Sequence, residues 1–103
     1  MYLIVRKYRK VDGDRKLVID SVNKTFLPMI SKIDGFIDYY CFFADDGSLL
    51  SVSVFRDAKG AEESLSTAGK FVDQNLAKLL PDKPEVMSGE VFAHRRFEQK
   101  KAA

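Results

Sequence analysis

The sequence predicts an α+β domain in which four strands form one antiparallel sheet and two helices share one of its faces. Three observations carry that prediction. Runs rich in β-branched and aromatic residues alternate with runs of helical period in the order β-α-β-β-α-β. The central stretch, Gly35–Asp57, is apolar on both faces of a strand pair. The chain has 103 residues, enough for one core and short enough that any partner surface matters. A single domain is expected over 1–98, with 99–103 as a fraying tail.

The elements follow in order. Tyr2–Val11 is rich in Ile, Val and Tyr and reads as the first strand. Asp12-Gly13-Asp14 is turn chemistry, with Asp14 placed to cap the next helix. Val18, Val22, Phe26, Met29, Ile30 and Ile33 recur at helical spacing and form an apolar stripe. Pro28 falls inside that helix, so a kink is expected there, or a second short piece starting at the proline. Asp34-Gly35 ends it and Phe36–Ala44 forms the second strand. Asp46-Gly47 signals a two-residue hairpin turn with positive φ at both positions, and Leu49–Arg56 forms the third strand. Asp57 caps a long helix whose stripe runs Ala61, Leu65, Ala68, Val72, Leu76 and Leu79. Gly69 inside that helix suggests close packing. Pro81 and Pro84 end it, and Val86–Phe97 supplies the fourth strand. This is the ferredoxin-like order, with both helices on one face.

Composition bounds the function. The hydrophobic fraction is 46% and the net charge only +2, so nothing calls for a polyanionic partner. Cys41 stands alone, which excludes an intrachain disulfide, and with His94 as the only histidine a metal site is unsupported. No apolar run approaches a membrane span and Arg6 interrupts the start too early for a signal peptide, so a cytoplasmic protein is expected. The third strand, Leu-Leu-Ser-Val-Ser-Val-Phe, lacks the aromatic pattern of RNA-recognition domains, and no nucleic-acid partner is expected. No cofactor is called for.

A turn at Asp46-Gly47 pairs Tyr40 with Ser53 and Cys41 with Val52, which sorts the hairpin into two faces. One holds Ile37, Tyr39, Cys41, Phe43, Leu50, Val52 and Val54, apolar apart from one phenol. The other holds Phe36, Asp38, Tyr40, Phe42, Leu49, Ser51, Ser53 and Phe55. Two helices cover one face only, and the other would expose more apolar area than a monomer tolerates. A second copy is the simplest cover, so a homodimer with its sheets face to face, a dimeric α+β barrel, is expected.

Leu27-Pro28-Met29, Asp34-Gly35-Phe36 and Ser51-Val52-Ser53-Val54-Phe55-Arg56-Asp57 resemble the antibiotic biosynthesis monooxygenase-like group of dimeric α+β barrels. Ala61-Glu62-Glu63-Ser64, Pro84-Glu85-Val86 and Ser88-Gly89-Glu90-Val91 fit a branch of unassigned activity within it. The resemblance implies a pocket between sheet and helices in each subunit. It sets Phe55 at the tryptophan position of the oxygenases, Ser64 near the helix-two histidine of haem-degrading members, and Arg6 near their strand-one asparagine. None of those identities is retained, and without the helix-two histidine haem degradation is not implied. By the same alignment, Asp38, Tyr40, Ser51, Ser53, Phe55 and Ser64 are candidates for the pocket. Tyr39, Cys41, Phe43, Val52 and Val54 then belong to the dimer interface.

The residues admit three readings of function. The leading one is a homodimer binding a small aromatic or apolar metabolite between sheet and helices. The second is a cofactor-free monooxygenase or isomerase acting on an acidic phenol, with His94, Tyr40 and Arg6 as its polar actors. Arg6 beside Asp38 would bind an anion, or form an ordinary marginal ion pair. The third is a purely structural protein whose pocket is filled by Phe36, Phe42, Phe55 and Phe71.

Overall fold

Four strands and four helical segments follow one another in the expected order. They are β1 (Tyr2–Tyr8), α1 (Arg15–Ser21), a π-helical turn (Val22–Phe26), α2 (Leu27–Ile30), β2 (Phe36–Phe43), β3 (Leu49–Phe55), α3 (Ala58–Asn75) and β4 (Glu85–Glu90). The computed structural model describes residues 1–98, and the tail expected at 99–103 lies outside them. The sheet runs β2-β3-β1-β4 and is antiparallel throughout, the ferredoxin-like order.

Both expected caps are in place. The Asp14 side chain accepts from the Lys16 backbone N–H at 2.9 Å, and Asp57 accepts from that of Gly60 at 3.3 Å. Between α1 and α2 the chain stays helical rather than breaking. The Leu27 N–H reaches back to Val22, the wide hydrogen bond of a π turn. Proline lacks an N–H and crowds the carbonyl four residues earlier, here that of Lys24. Widening the turn before Pro28 accommodates both defects. Val18, Val22, Phe26, Ile30 and Ile33 are buried as expected, whereas Met29 is exposed.

Gly69 is not the tightly packed glycine. A side chain added there would meet nothing within 4 Å, but one at Gly60 would lie 2.7 Å from the Asp34 carbonyl and 2.9 Å from the Phe55 ring. The α3 helix therefore lands on the sheet at Gly60. It ends at Asn75, before the expected proline stop, although Leu76 and Leu80 are still buried in the core.

The hairpin register differs from the expected one by a single residue. Tyr40 lies opposite Val52 and Cys41 opposite Ser51. No residue other than glycine takes a positive φ among the described residues, so Asp46 does not supply the conformation that a two-residue turn demands. Its carboxylate instead accepts from the Ser48 backbone N–H (2.9 Å) and hydroxyl (2.6 Å). The loop is three residues long, closed by Gly47 N–H to Ala44 C=O at 2.9 Å and Ala44 N–H to Ser48 C=O at 2.8 Å, with Gly47 at φ +90°. A one-residue slip turns a strand's side chains over. On β3 the expected faces stand: Leu49, Ser51, Ser53 and Phe55 face the helices. On β2 they are reversed. Tyr39, Cys41 and Phe43 lie on the helix side, while Asp38, Tyr40 and Phe42 lie on the open side with Leu50, Val52 and Val54. An irregularity between Phe36 and Asp38 returns Phe36 to the helix side, where its ring meets Phe55 edge-on at 5.9 Å.

The fourth strand is shorter than expected. It stops at Glu90, and residues 91–98 belong to no strand. Arg96 in this segment lies 3.8 Å from Asp38 on β2, at the opposite edge of the sheet from β4.

Candidate functional site

The antiparallel register aligns side chains in rows across the covered face of the sheet. One row reads Cys41, Ser51, Arg6 from β2 through β3 to β1. The row on one side reads Tyr39, Ser53, Ile4, and that on the other Phe43, Leu49, Tyr8. A polar stripe thus crosses a face that the helices shield from water. Above it, Phe26 of the π turn stacks between Tyr39 of β2 (5.3 Å) and Phe71 of α3 (4.9 Å). That aromatic bridge roofs the stripe.

Between stripe and roof lies a cavity of about 40 Å³, lined by Ile4, Arg6, Ser51, Ser64, Phe71 and their neighbours. That is room for about three water-sized spheres, against roughly 150 Å³ for a cavity that takes benzene. Two wider recesses adjoin it. One of about 170 Å³, between α1 and the β2 edge, shares Val22, Tyr39, Cys41 and Leu49 with the cavity. The other, of about 240 Å³, lies under the Leu80–Pro84 segment and shares Arg6, Tyr8, Val72 and Leu80. Tyr39 and Cys41 therefore stand at one end of the cavity, and Arg6 and Tyr8 at the other.

The polar groups differ in their surroundings. Arg6 is 9% exposed and donates from Nη2 to the Tyr8 Oη at 2.6 Å. Burial, reinforced by the Cys41 thiol, holds the Tyr39 phenol far above its ordinary pKa, and Ser51 and Arg6 offset only part of that. Tyr39 is thus a neutral hydrogen-bonding group. Cys41 is exposed along the edge strand, yet the protein packed around its thiol pushes that pKa up too, more than Tyr39 lowers it. A raised thiol pKa is the reverse of what activates a nucleophilic cysteine. Ser64 turns its hydroxyl inward along α3, donating to the Ala61 carbonyl at 2.6 Å.

Of the residues that the sequence points to for a pocket, Ser51, Ser53 and Ser64 line this cavity, as does Arg6. Phe55 is fully buried between Phe36 and Gly60 and does not line it. Asp38 and Tyr40 lie on the open face, so Arg6 and Asp38 do not meet across the covered one. Asp38 pairs with Arg96 instead. His94 is exposed in the segment after β4, away from the cavity lining. Tyr39, Cys41 and Phe43, expected at a dimer interface, belong to the covered face; Val52 and Val54 remain on the open one. Sequence reasoning misses Tyr8. It is separated from Arg6 by one residue on the same strand face, so strand alternation alone points to it.

The aromatic filling is partial. Phe55 and Phe71 are buried and Phe36 packs on Phe55, but Phe42 is 48% exposed on the open face. The core is solid at the Phe55 end and hollow at the Arg6 end.

No protein-family model and no curated protein matches the chain. Solved structures do. A protein of unknown function from Nitrosomonas europaea superposes with a TM-score of 0.75 at 17% identity over 95% of each chain. The fold is that of the antibiotic biosynthesis monooxygenase-like proteins. A Streptomyces coelicolor monooxygenase solved with nanaomycin D gives 0.63 at 16% identity, covering 94% of this chain and 92% of its own. A cofactor-independent oxygenase from Streptomyces nogalater gives 0.60 at 18% identity, covering 95% and 97%. At such identities the likeness is one of fold.

Proposed function

We propose that this chain is a homodimeric small-molecule-binding protein whose ligand sits between the sheet and the helices of each subunit. The observation that supports it most is the hollow end of the core, where Arg6, Tyr39, Ser51 and Ser53 converge inside an apolar enclosure, the usual composition of a ligand site. The dimer rests on the other face. Leu3, Val5, Val52 and Met87 lie there with Tyr40 and Phe42, which are 58% and 48% exposed. A two-fold partner is the commonest cover for such a surface.

Binding is favoured over oxygenation because two of the three polar groups that oxygenation would use, His94 and Tyr40, lie away from the cavity. Size-exclusion chromatography with light scattering at micromolar concentration tests the assembly, and a monomer there refutes it. Thermal unfolding against small organic molecules of about six heavy atoms or fewer, with oxygen uptake followed in parallel against anthrone, a carbon acid whose enol tautomer is a phenol, separates the two functions. Stabilisation without oxygen uptake is the expected result, and uptake would overturn the preference for binding.

A further inference from the structure

Arg6 sets the charge of this site, and the role given to it rests on the small-molecule binding proposed for the cavity. Among the described residues it is the one charged residue lining the inner cavity. Nine-tenths of it is buried, yet among the described residues its side chain makes a single hydrogen bond, to the Tyr8 phenol. No carboxylate among the described residues stands within ion-pair distance of it. Asp38, the acid expected to accompany it, is on the far side of the sheet, paired with Arg96. Asp73 and Asp82 line the outer recess together with Lys83, and neither forms an ion pair with the guanidinium.

A guanidinium keeps its charge wherever it is buried. Buried charges are otherwise paired, because removing an ion from water is strongly unfavourable unless a counter-charge offsets it. A phenol supplies a dipole and no counter-charge. Moreover, no enclosed side-chain nitrogen or oxygen among the described residues lacks a partner. The remaining guanidinium donors are therefore accessible, through the cavity or through the outer recess that Arg6 also lines. Planar donors of this kind match a carboxylate two to two. On the neighbouring strand Ser51 stands directly opposite Arg6, and its hydroxyl can donate to the same group. The volume sets the size, since about 40 Å³ admits only a few heavy atoms beyond the anionic head.

We propose that the cavity binds a small organic monocarboxylate, its carboxylate on the Arg6 guanidinium and its short apolar body among Ile4, Phe26 and Phe71.

The test uses two probes of equal shape, butyrate and butyramide, titrated into the full chain and followed by backbone amide NMR at the cavity residues. Butyrate is expected to bind about tenfold or more tightly than butyramide, because only the carboxylate gains charge-assisted hydrogen bonds. Arg6→Met should bring the two together. Arg6→Lys keeps the charge and loses the fork, so butyrate should weaken while remaining preferred; this variant decides the matter if the methionine one does not fold. Equal binding of both probes by the wild type overturns the carboxylate assignment and leaves small-molecule binding standing. Failure of both probes to perturb the cavity residues overturns the two together. A preference for butyrate that survives in Arg6→Met overturns Arg6 as its receptor.

Discussion

The two faces of this sheet are composed against the usual rule. The face covered by helices carries Arg6, Ser51 and Ser53, three buried polar side chains. The face left open by this chain carries Val5, Val52, Tyr40, Phe42 and Met87. An antiparallel sheet with one face in water ordinarily turns polar groups outward. The inversion gives each face a different meaning. Polar groups under a roof cost desolvation and call for a partner molecule small enough to enter. Apolar groups in the open call for a partner large enough to cover them.

Within the covered face the two ends also differ. At one end Phe55, Phe36 and Gly60 pack closely, with the Phe36 and Phe55 rings edge-on at 5.9 Å. Phe55→Ala should cost roughly 3–5 kcal/mol, the range for truncating a buried aromatic, read by urea unfolding. A loss below about 1 kcal/mol would mean that the hollow end collapses to refill the gap.

The open face should respond differently. Val52→Asp places a carboxylate at its centre, between Val5 and Tyr40 on the neighbouring strands. The proposed dimer should weaken by about 100-fold or more, since burying an unpaired charge costs several kcal/mol. Analytical ultracentrifugation checks it, with far-ultraviolet circular dichroism unchanged. Loss of secondary structure along with the dimer would mean that this face also contributes to the monomer's own core.

Two glycines of α3 sharpen the contrast between packed and hollow ends. Gly60→Ala should destabilise by ~1–3 kcal/mol, because the added methyl meets backbone oxygen and the Phe55 ring. Gly69→Ala should stabilise by ~0.5–1 kcal/mol, as its methyl enters open space and removes chain entropy from the unfolded state. Thermal unfolding of the pair reads both signs; a neutral or stabilising Gly60→Ala would contradict the landing of α3 at Gly60, and a destabilising Gly69→Ala the open space at Gly69.

The smallest effect concerns the cap of that helix. The Gly60 N–H, followed by Arg56, holds the Asp57 carboxyl below its ordinary pKa of 3.8. A lowered folded-state pKa gives stability that is present above the unfolded value and lost as pH falls through the folded one. Stability should therefore decline below about pH 3.8, and Asp57→Asn should flatten part of that decline. Urea midpoints measured from pH 5 to pH 2 would show it. An unchanged slope in the variant would remove Asp57 from the account.

Much of the architecture was legible in the residues. The alternating periods specified the element order, Asp14 and Asp57 announced their caps, and Pro28 announced the irregularity that became a π turn. Each of these depends on a few neighbouring residues, so local chemistry suffices. Of the six pocket candidates, Ser51, Ser53 and Ser64 line the candidate cavity, and Arg6 lines it as well. What failed was the β2 side. Asp46-Gly47 reads equally as the heart of a two-residue turn or the end of a three-residue one. Asp46 settles it by binding Ser48, which keeps it out of the left-handed region. That small preference carries Tyr39 and Cys41 to the cavity and Tyr40 to the open face.

The sequence by itself therefore determined which elements form, their order and the presence of more apolar surface than two helices can cover. These follow from periodicity and composition, which sum over many residues. Only the tertiary structure decided which side chains share a face and where space is left between them. Register hangs on a single turn, and the hollow beside Arg6 is what remains once Phe26, Phe55 and Phe71 have packed, a quantity no local pattern encodes.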